Sequence, residues 1–126
     1  MRIKIDNLDK LFSRYIRLRS EGYDEYTGKY AGYDKLQCCH FHSRSKKSVR
    51  LDPDNAIAAT FGSHQYLDSH PMEKVEFWKQ KLGEQKFDML NSRARTPAKD
   101  IDKEAIGIYL AQEIKKLEKS NETNFQ

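Results

Sequence analysis

The chain has 126 residues, 37% hydrophobic and 33% charged, with a formal net charge of +4. That length predicts one domain with a modest core, and no apolar run approaches the roughly 20 residues that cross a bilayer, so no membrane segment is expected. The basic balance suits a polyanionic partner without requiring one. Met1 to Asp6 lacks the apolar core and small-residue cleavage site of a secretory signal. The two cysteines, Cys38 and Cys39, are neighbours that cannot staple distant segments, so free thiols in the cytoplasm are expected.

Leu8, Leu11, Phe12, Tyr15 and Ile16 recur at helical spacing and predict a first helix over 7–20, with Lys10, Arg14, Arg17 and Arg19 as its solvated face. From Glu21 to Asp34, Gly22, Gly28 and Gly32 interleave with Tyr23, Tyr26, Tyr30 and Tyr33, which reads as a compact loop packed by aromatics. Lys35 to His42 has the apolar and small residues of a short strand. The polar run Ser43 to Ser48 ends it. There Arg44, Lys46, Lys47 and Arg50 form the densest positive patch in the chain, suited to phosphate oxygens. Asp52-Pro53-Asp54 is a turn signal, and a second strand follows over 55–60.

Gly62-Ser63 leads into a short helix, His64 to His70, which Pro71 ends or restarts. Met72, Val75, Trp78 and Leu82 are the apolar stripe of a further helix stopped by Gly83, and Phe87 and Leu90 indicate another short one. Arg93 to Asp100 reads as a linker. Ala105, Ile106, Tyr109, Leu110, Ile114 and Leu117 mark a last amphipathic helix, about 103–118, with a polar, frayed end from Ser120. The class is α+β.

On this scaffold His40 closes the first strand and His64 opens the small helix, so the two imidazoles can face one another across a hairpin, with Asn55 behind them. A neutral imidazole is suited to take a proton from water near pH 7. A second one, beside a hard oxygen ligand, can hold a divalent ion that stabilises charge on a phosphate as its ester bond breaks. His64 and Asp68 are four residues apart, which on a helix gives a two-ligand face.

His40-Phe41, Arg44, Asp52-Pro53-Asp54-Asn55-Ala56 and His64-Gln65-Tyr66, in that order, resemble the HNH endonuclease superfamily, in particular small phage-borne nucleases of the recombination-endonuclease kind, over roughly residues 18–90. The resemblance implies a single domain spanning 1–126, with a ββα-metal core, an N-terminal helix and a helical C-terminal tail. It implies a divalent-metal-dependent DNA endonuclease that hydrolyses phosphodiester bonds, encoded by a phage and acting in a bacterial host. Carried over, His40 is the general base, Asn55 braces the loop, His64 binds the metal and Arg44 contacts phosphate; Lys46, Lys47 and Arg50 extend that DNA-binding surface. The implied cofactor is one divalent ion, Mg²⁺ or Mn²⁺, with Zn²⁺ or Ni²⁺ as alternatives.

Two departures from the family pattern change the expectations. Cys39 stands where many relatives have an aspartate or histidine ligand, which leaves Cys39, His42 and Asp68 as candidates for the second ligand; the helix spacing favours Asp68. A thiolate would bias the site toward zinc. His42, two residues from His40 on a strand, could instead position substrate. In addition, relatives of this type commonly carry two Cys-x-x-Cys pairs for a structural zinc, and the matching positions hold Asp24, Thr27, Thr60 and Ser63. No structural zinc is therefore expected, with Tyr23, Tyr26, Tyr30 and Tyr33 packing the loop in its place. The alternatives to an enzyme are a catalytically inactive, HNH-derived DNA-binding module and a phage interaction protein that docks a partner through its helical tail.

Overall fold

The computed structural model describes residues 5–98 and 101–124. Among them are five α-helices and a two-stranded antiparallel sheet, in the order α1 (Asn7–Arg19), β1 (Leu36–His40), β2 (Ala56–Thr60), α2 (Phe61–Ser69), α3 (Pro71–Leu82), α4 (Glu84–Ala94) and α5 (Lys103–Asn124). The class is α+β, as the sequence predicts. Met1 to Lys4 of the N-terminal reading and Lys99-Asp100 of the linker lie outside the described residues. No helix among the described residues is long and apolar enough to cross a membrane.

The hairpin is the midplane of the molecule. It pairs from Leu36 opposite Thr60 to His40 opposite Ala56. Because strand side chains alternate, Leu36, Cys38, Ala56 and Ala58 join Phe12, Tyr15 and Ile16 of α1 and Leu110 and Ile114 of α5 in one core. Cys39, Ile57 and Ala59 join Val49, Leu67, Trp78, Phe87 and Leu90 in a second core on the other face. A sheet covered on both sides has no polar face, which is why these strands read as short apolar runs without alternation. Both cysteines are buried free thiols.

Local signals set most of the boundaries. Asp6 and Asp9 form a reciprocal capping box at the start of α1. Thr60 caps α2 by accepting from the Ser63 N–H, so this helix opens three residues before the predicted His64 and takes Gly62-Ser63 into its first turn. Gly83, at φ 84°, ends α3 in a conformation that suits glycine. α4 is longer than the Phe87 and Leu90 pair suggested. α5 continues to Asn124, so 120–124 is helical rather than frayed; backbone hydrogen bonds propagate through polar residues once a helix is docked.

The 21–34 loop differs from expectation in what holds it. Tyr23 and Tyr30 are 47% and 70% exposed, edge-on to one another, and pack little of the loop. Tyr26 lies against Phe77, and Tyr33 lies beneath the Arg17 guanidinium. The tie is a carboxylate. Asp24 is 2% exposed; its Oδ1 accepts from the backbone N–H groups of Tyr26 and Thr27, and its Oδ2 from the N–H and hydroxyl of Thr60. The Ser63 N–H donates to the Thr60 hydroxyl oxygen. Positions 24, 27, 60 and 63 thus meet around one anion. Burial pushes the Asp24 carboxyl up, but the donors together outweigh it and hold its pKa below the usual 3.8.

A candidate metal centre beside His40

The excursion between the strands, residues 41–55, is closed by a buried amide. Asn55 is fully buried; its Nδ2 donates to the carbonyls of His42 and Val49, and its Oδ1 accepts from the His42 N–H. The Phe41 N–H donates to the Asn55 carbonyl, which turns the chain out of β1 one pair beyond His40. The Asp52-Pro53-Asp54 turn is fixed in turn from the later helices: Trp78 Nε1 donates to the Asp54 carbonyl, and Arg93 pairs with the carboxylates of Asp52 and Asp54.

This closure positions His40. Its Nε2 lies 3.0 Å from the Arg50 carbonyl. A carbonyl only accepts, so Nε2 carries the hydrogen and Nδ1 keeps its lone pair. The ring lies 5.7 Å from the Phe12 ring of α1. Burial, reinforced by the charge of Arg44, pushes the His40 pKa down to about 4, so the imidazole is neutral near pH 7.

Across from it, Cys39, His64 and Asp68 place a sulfur, a ring nitrogen and a carboxylate oxygen within 4.8 Å of one another. Gln37, on the same face of β1 as Cys39, presents Oε1 to His64 Nδ1 at 2.9 Å. That contact puts the hydrogen on Nδ1 and the lone pair on Nε2, which faces Asp68 Oδ2 at 3.3 Å. Burial pushes the His64 pKa down against the pull of Asp68. The His64 nitrogen and the Asp68 oxygen therefore face each other with the Cys39 sulfur beside them, an arrangement that suits a cation. The donors fit a divalent ion with a taste for nitrogen and sulfur, such as zinc, better than they fit magnesium. Burial pushes the Cys39 thiol up to about 12, so Cys39 ligates only where a metal displaces its proton.

His40, His64 and Asp68 line one cavity of about 400 Å³ with Cys38, Arg44 and Lys74. Arg44 is half-buried, and its Nε is buried with no hydrogen-bond partner among the described residues. The Lys74 ammonium lies 2.7 Å from Asp68 Oδ1.

Two candidates from the sequence fall elsewhere. His42 leaves the strand and turns its Nε2 to Asn91 Oδ1 on α4, 2.7 Å away; it neither joins the donor cluster nor lines the cavity. Arg50 is not a free phosphate contact. Its Nε and one terminal nitrogen bind the buried Asp9 carboxylate at 2.8 and 2.5 Å, because Asp9 is already fixed by the cap of α1 and needs a counter-charge. Of the cationic run, Lys46 and Lys47 are exposed and Arg44 reaches the cavity. The sequence reading missed Gln37 and Lys74. The strand period, which puts Gln37 on the Cys39 face, could have found the first; no local signal marks the second. In comparison with known proteins, the chain matches no family model, no curated protein and no solved structure.

Proposed function

We propose that the protein is a divalent-metal-dependent DNA endonuclease of the HNH type, hydrolysing phosphodiester bonds in the cavity between His40 and the Cys39, His64 and Asp68 cluster. One observation carries this reading: a neutral imidazole at His40 and two members of the convergent donor set, His64 and Asp68, line one cavity, with the third, Cys39, buried behind them. A hairpin and the helix that follows it deliver both, in the ββα order of that superfamily.

The residues divide the work as follows. His40 Nδ1 takes a proton from the attacking water, while Nε2–H remains on the Arg50 carbonyl and strengthens that bond as the ring becomes positive. Asn55 keeps both ends of the 41–55 excursion together and so keeps His40 at its carbonyl. His64, Asp68 and Cys39 would hold the ion, which when bound supplies positive charge toward the phosphate oxygens. Gln37 keeps His64 Nε2 aimed at the cluster. Arg44 orients the scissile phosphate in the cavity, and Lys46 and Lys47 carry the backbone outside it. With Cys39 engaged, Zn²⁺ or Ni²⁺ is preferred; with His64 and Asp68 alone, Mn²⁺ or Mg²⁺ suffices.

The test is conversion of supercoiled plasmid to nicked or linear form with each of these four ions and with excess chelator. Metal-dependent cutting is expected, and His40→Ala should slow it by roughly 10²-fold or more. Unchanged cutting by that variant removes the base assignment, and no cutting with any ion overturns the reading.

A further inference from the structure

Lys74 is the unexplained member of the cavity. It sits in the first turns of α3, which starts at Pro71 directly after α2 and so directs this side chain back toward Asp68. Its side chain is 13% exposed, against 52% for that of Asp68. The stem is covered, and the ammonium lies 6.0 Å from the centre of the Trp78 ring. An ordinary surface pair holds two mobile, solvated chains; here the lysine is fixed and the carboxylate is the open partner.

We propose that Lys74 is a phosphate-binding residue held in reserve: its ammonium neutralises Asp68 until a divalent cation takes that carboxylate, and it then turns to a substrate phosphate oxygen in the same cavity. The inference rests on the metal-dependent reading above. Asp68 is the only carboxylate among the described residues lining the cavity, whereas Arg44 and Lys74 are both cations. Asp68 already gives Oδ1 to Lys74 and faces His64 with Oδ2. A cation entering beside His64 therefore competes with Lys74 for the same anion. Once displaced, Lys74 has no other carboxylate among the described residues lining the cavity, and the phosphate is the anion that arrives. Metal binding thereby readies the site for substrate.

Calorimetric titration of Mn²⁺ into the wild-type protein, Lys74→Met and Lys74→Arg tests the competition without any turnover. Removal of the charge should tighten Mn²⁺ binding about fivefold, the scale of a pair of this kind, and Lys74→Arg should return it toward the wild-type value. Binding of a short DNA duplex, measured on a His40→Ala background to prevent cutting, tests the release. With Mn²⁺ the Lys74→Met slope of log affinity against log salt should be shallower by about one charge, and with chelator it should equal that of the parent. Lys74→Gln, which keeps a polar end, guards against a folding defect, and thermal melts of all variants report one. Equal Mn²⁺ affinity with and without the Lys74 charge overturns the exchange while leaving the metal centre standing. An identical salt slope with Mn²⁺ overturns it as well. Failure of every variant and of the wild type to bind any of the four ions overturns the metal centre and this inference together.

Discussion

Two polar clusters meet at the junction of β2 and α2, and they are built on opposite principles. Around Asp24, one anion is surrounded by donors: three backbone N–H groups and the hydroxyl of Thr60. Around His64, three ligand atoms gather, the His64 and Asp68 pair 3.3 Å apart with the Cys39 sulfur beside it. Ser63 and His64 are adjacent on one helical turn, yet the first joins the Asp24 cluster through its N–H on the Thr60 hydroxyl and the second opens the other cluster. A buried polar group satisfied from within the chain stabilises the fold. A set of converging ligand atoms beside a cavity, met from within the chain by the Lys74 ammonium on Asp68, is instead organised for an incoming cation.

The sharpest way to break this contrast is to remove the anion from the satisfied cluster. Asp24→Ala leaves several buried donors without an acceptor, and should cost about 3 kcal/mol or more in chemical denaturation. It should leave metal affinity nearly unchanged if the two clusters are independent. The same cluster has a pH signature. The Asp24 pKa is lower in the folded protein than its ordinary 3.8, so its contribution is fully present above that value and is lost as pH falls through the folded pKa. The acid limb of a melting-temperature profile should accordingly be shallower for Asp24→Asn than for the wild type.

A smaller effect is expected on the other side of the comparison. Gln37→Leu removes the acceptor that sets the His64 tautomer, and should weaken Mn²⁺ or Zn²⁺ binding by about 10- to 100-fold. Stability should shift by no more than about 0.5 kcal/mol, because Gln37 is exposed. A stability loss as large as that of Asp24→Ala would show that the two clusters do not divide the labour as described. The smallest effect lies outside both. Neutralising Lys46 and Lys47 together should flatten the salt dependence of DNA binding by about two charge units without moving the melting temperature. A slope equal to that of the wild type would make the run a solvated loop.

The features legible in the sequence were those set by local periodicity. Spacing of four residues on a helix brought His64 to Asp68, and the two short apolar runs, with the helix that follows them, let His40 and His64 face one cavity. Where the sequence misled, the deciding partner was far along the chain. Arg50 stood in a run of cations without an acid, but its acid is Asp9, forty-one residues earlier. His42 kept strand spacing with His40 until Asn55 turned the backbone away and α4 supplied Asn91. The tyrosines suggested packing because aromatics beside glycines often pack. The bond from Asp24 to Thr60 could not be seen until the hairpin brought position 60 to position 24. Patterns of residue type count charges and apolar positions; they do not choose partners.

The ring of His40 rests on Phe12, and Phe12 shares its core with Leu110 and Ile114 of α5. Arg14 of α1 and Glu118 of α5 are paired across the same contact. His64 and Asp68, by contrast, stand on α2, whose Leu67 belongs to the core on the other face of the hairpin. An opening event that separates the first and last helices would therefore withdraw the support of His40 and leave that of His64 and Asp68 in place. In amide hydrogen exchange, α1 and α5 would lose their protons as one cooperative unit, apart from α2 to α4. Under the proposed function, cleavage would then follow the population in which those two helices are docked, so that a substitution at their contact, far from any phosphate, would act as a throttle on it.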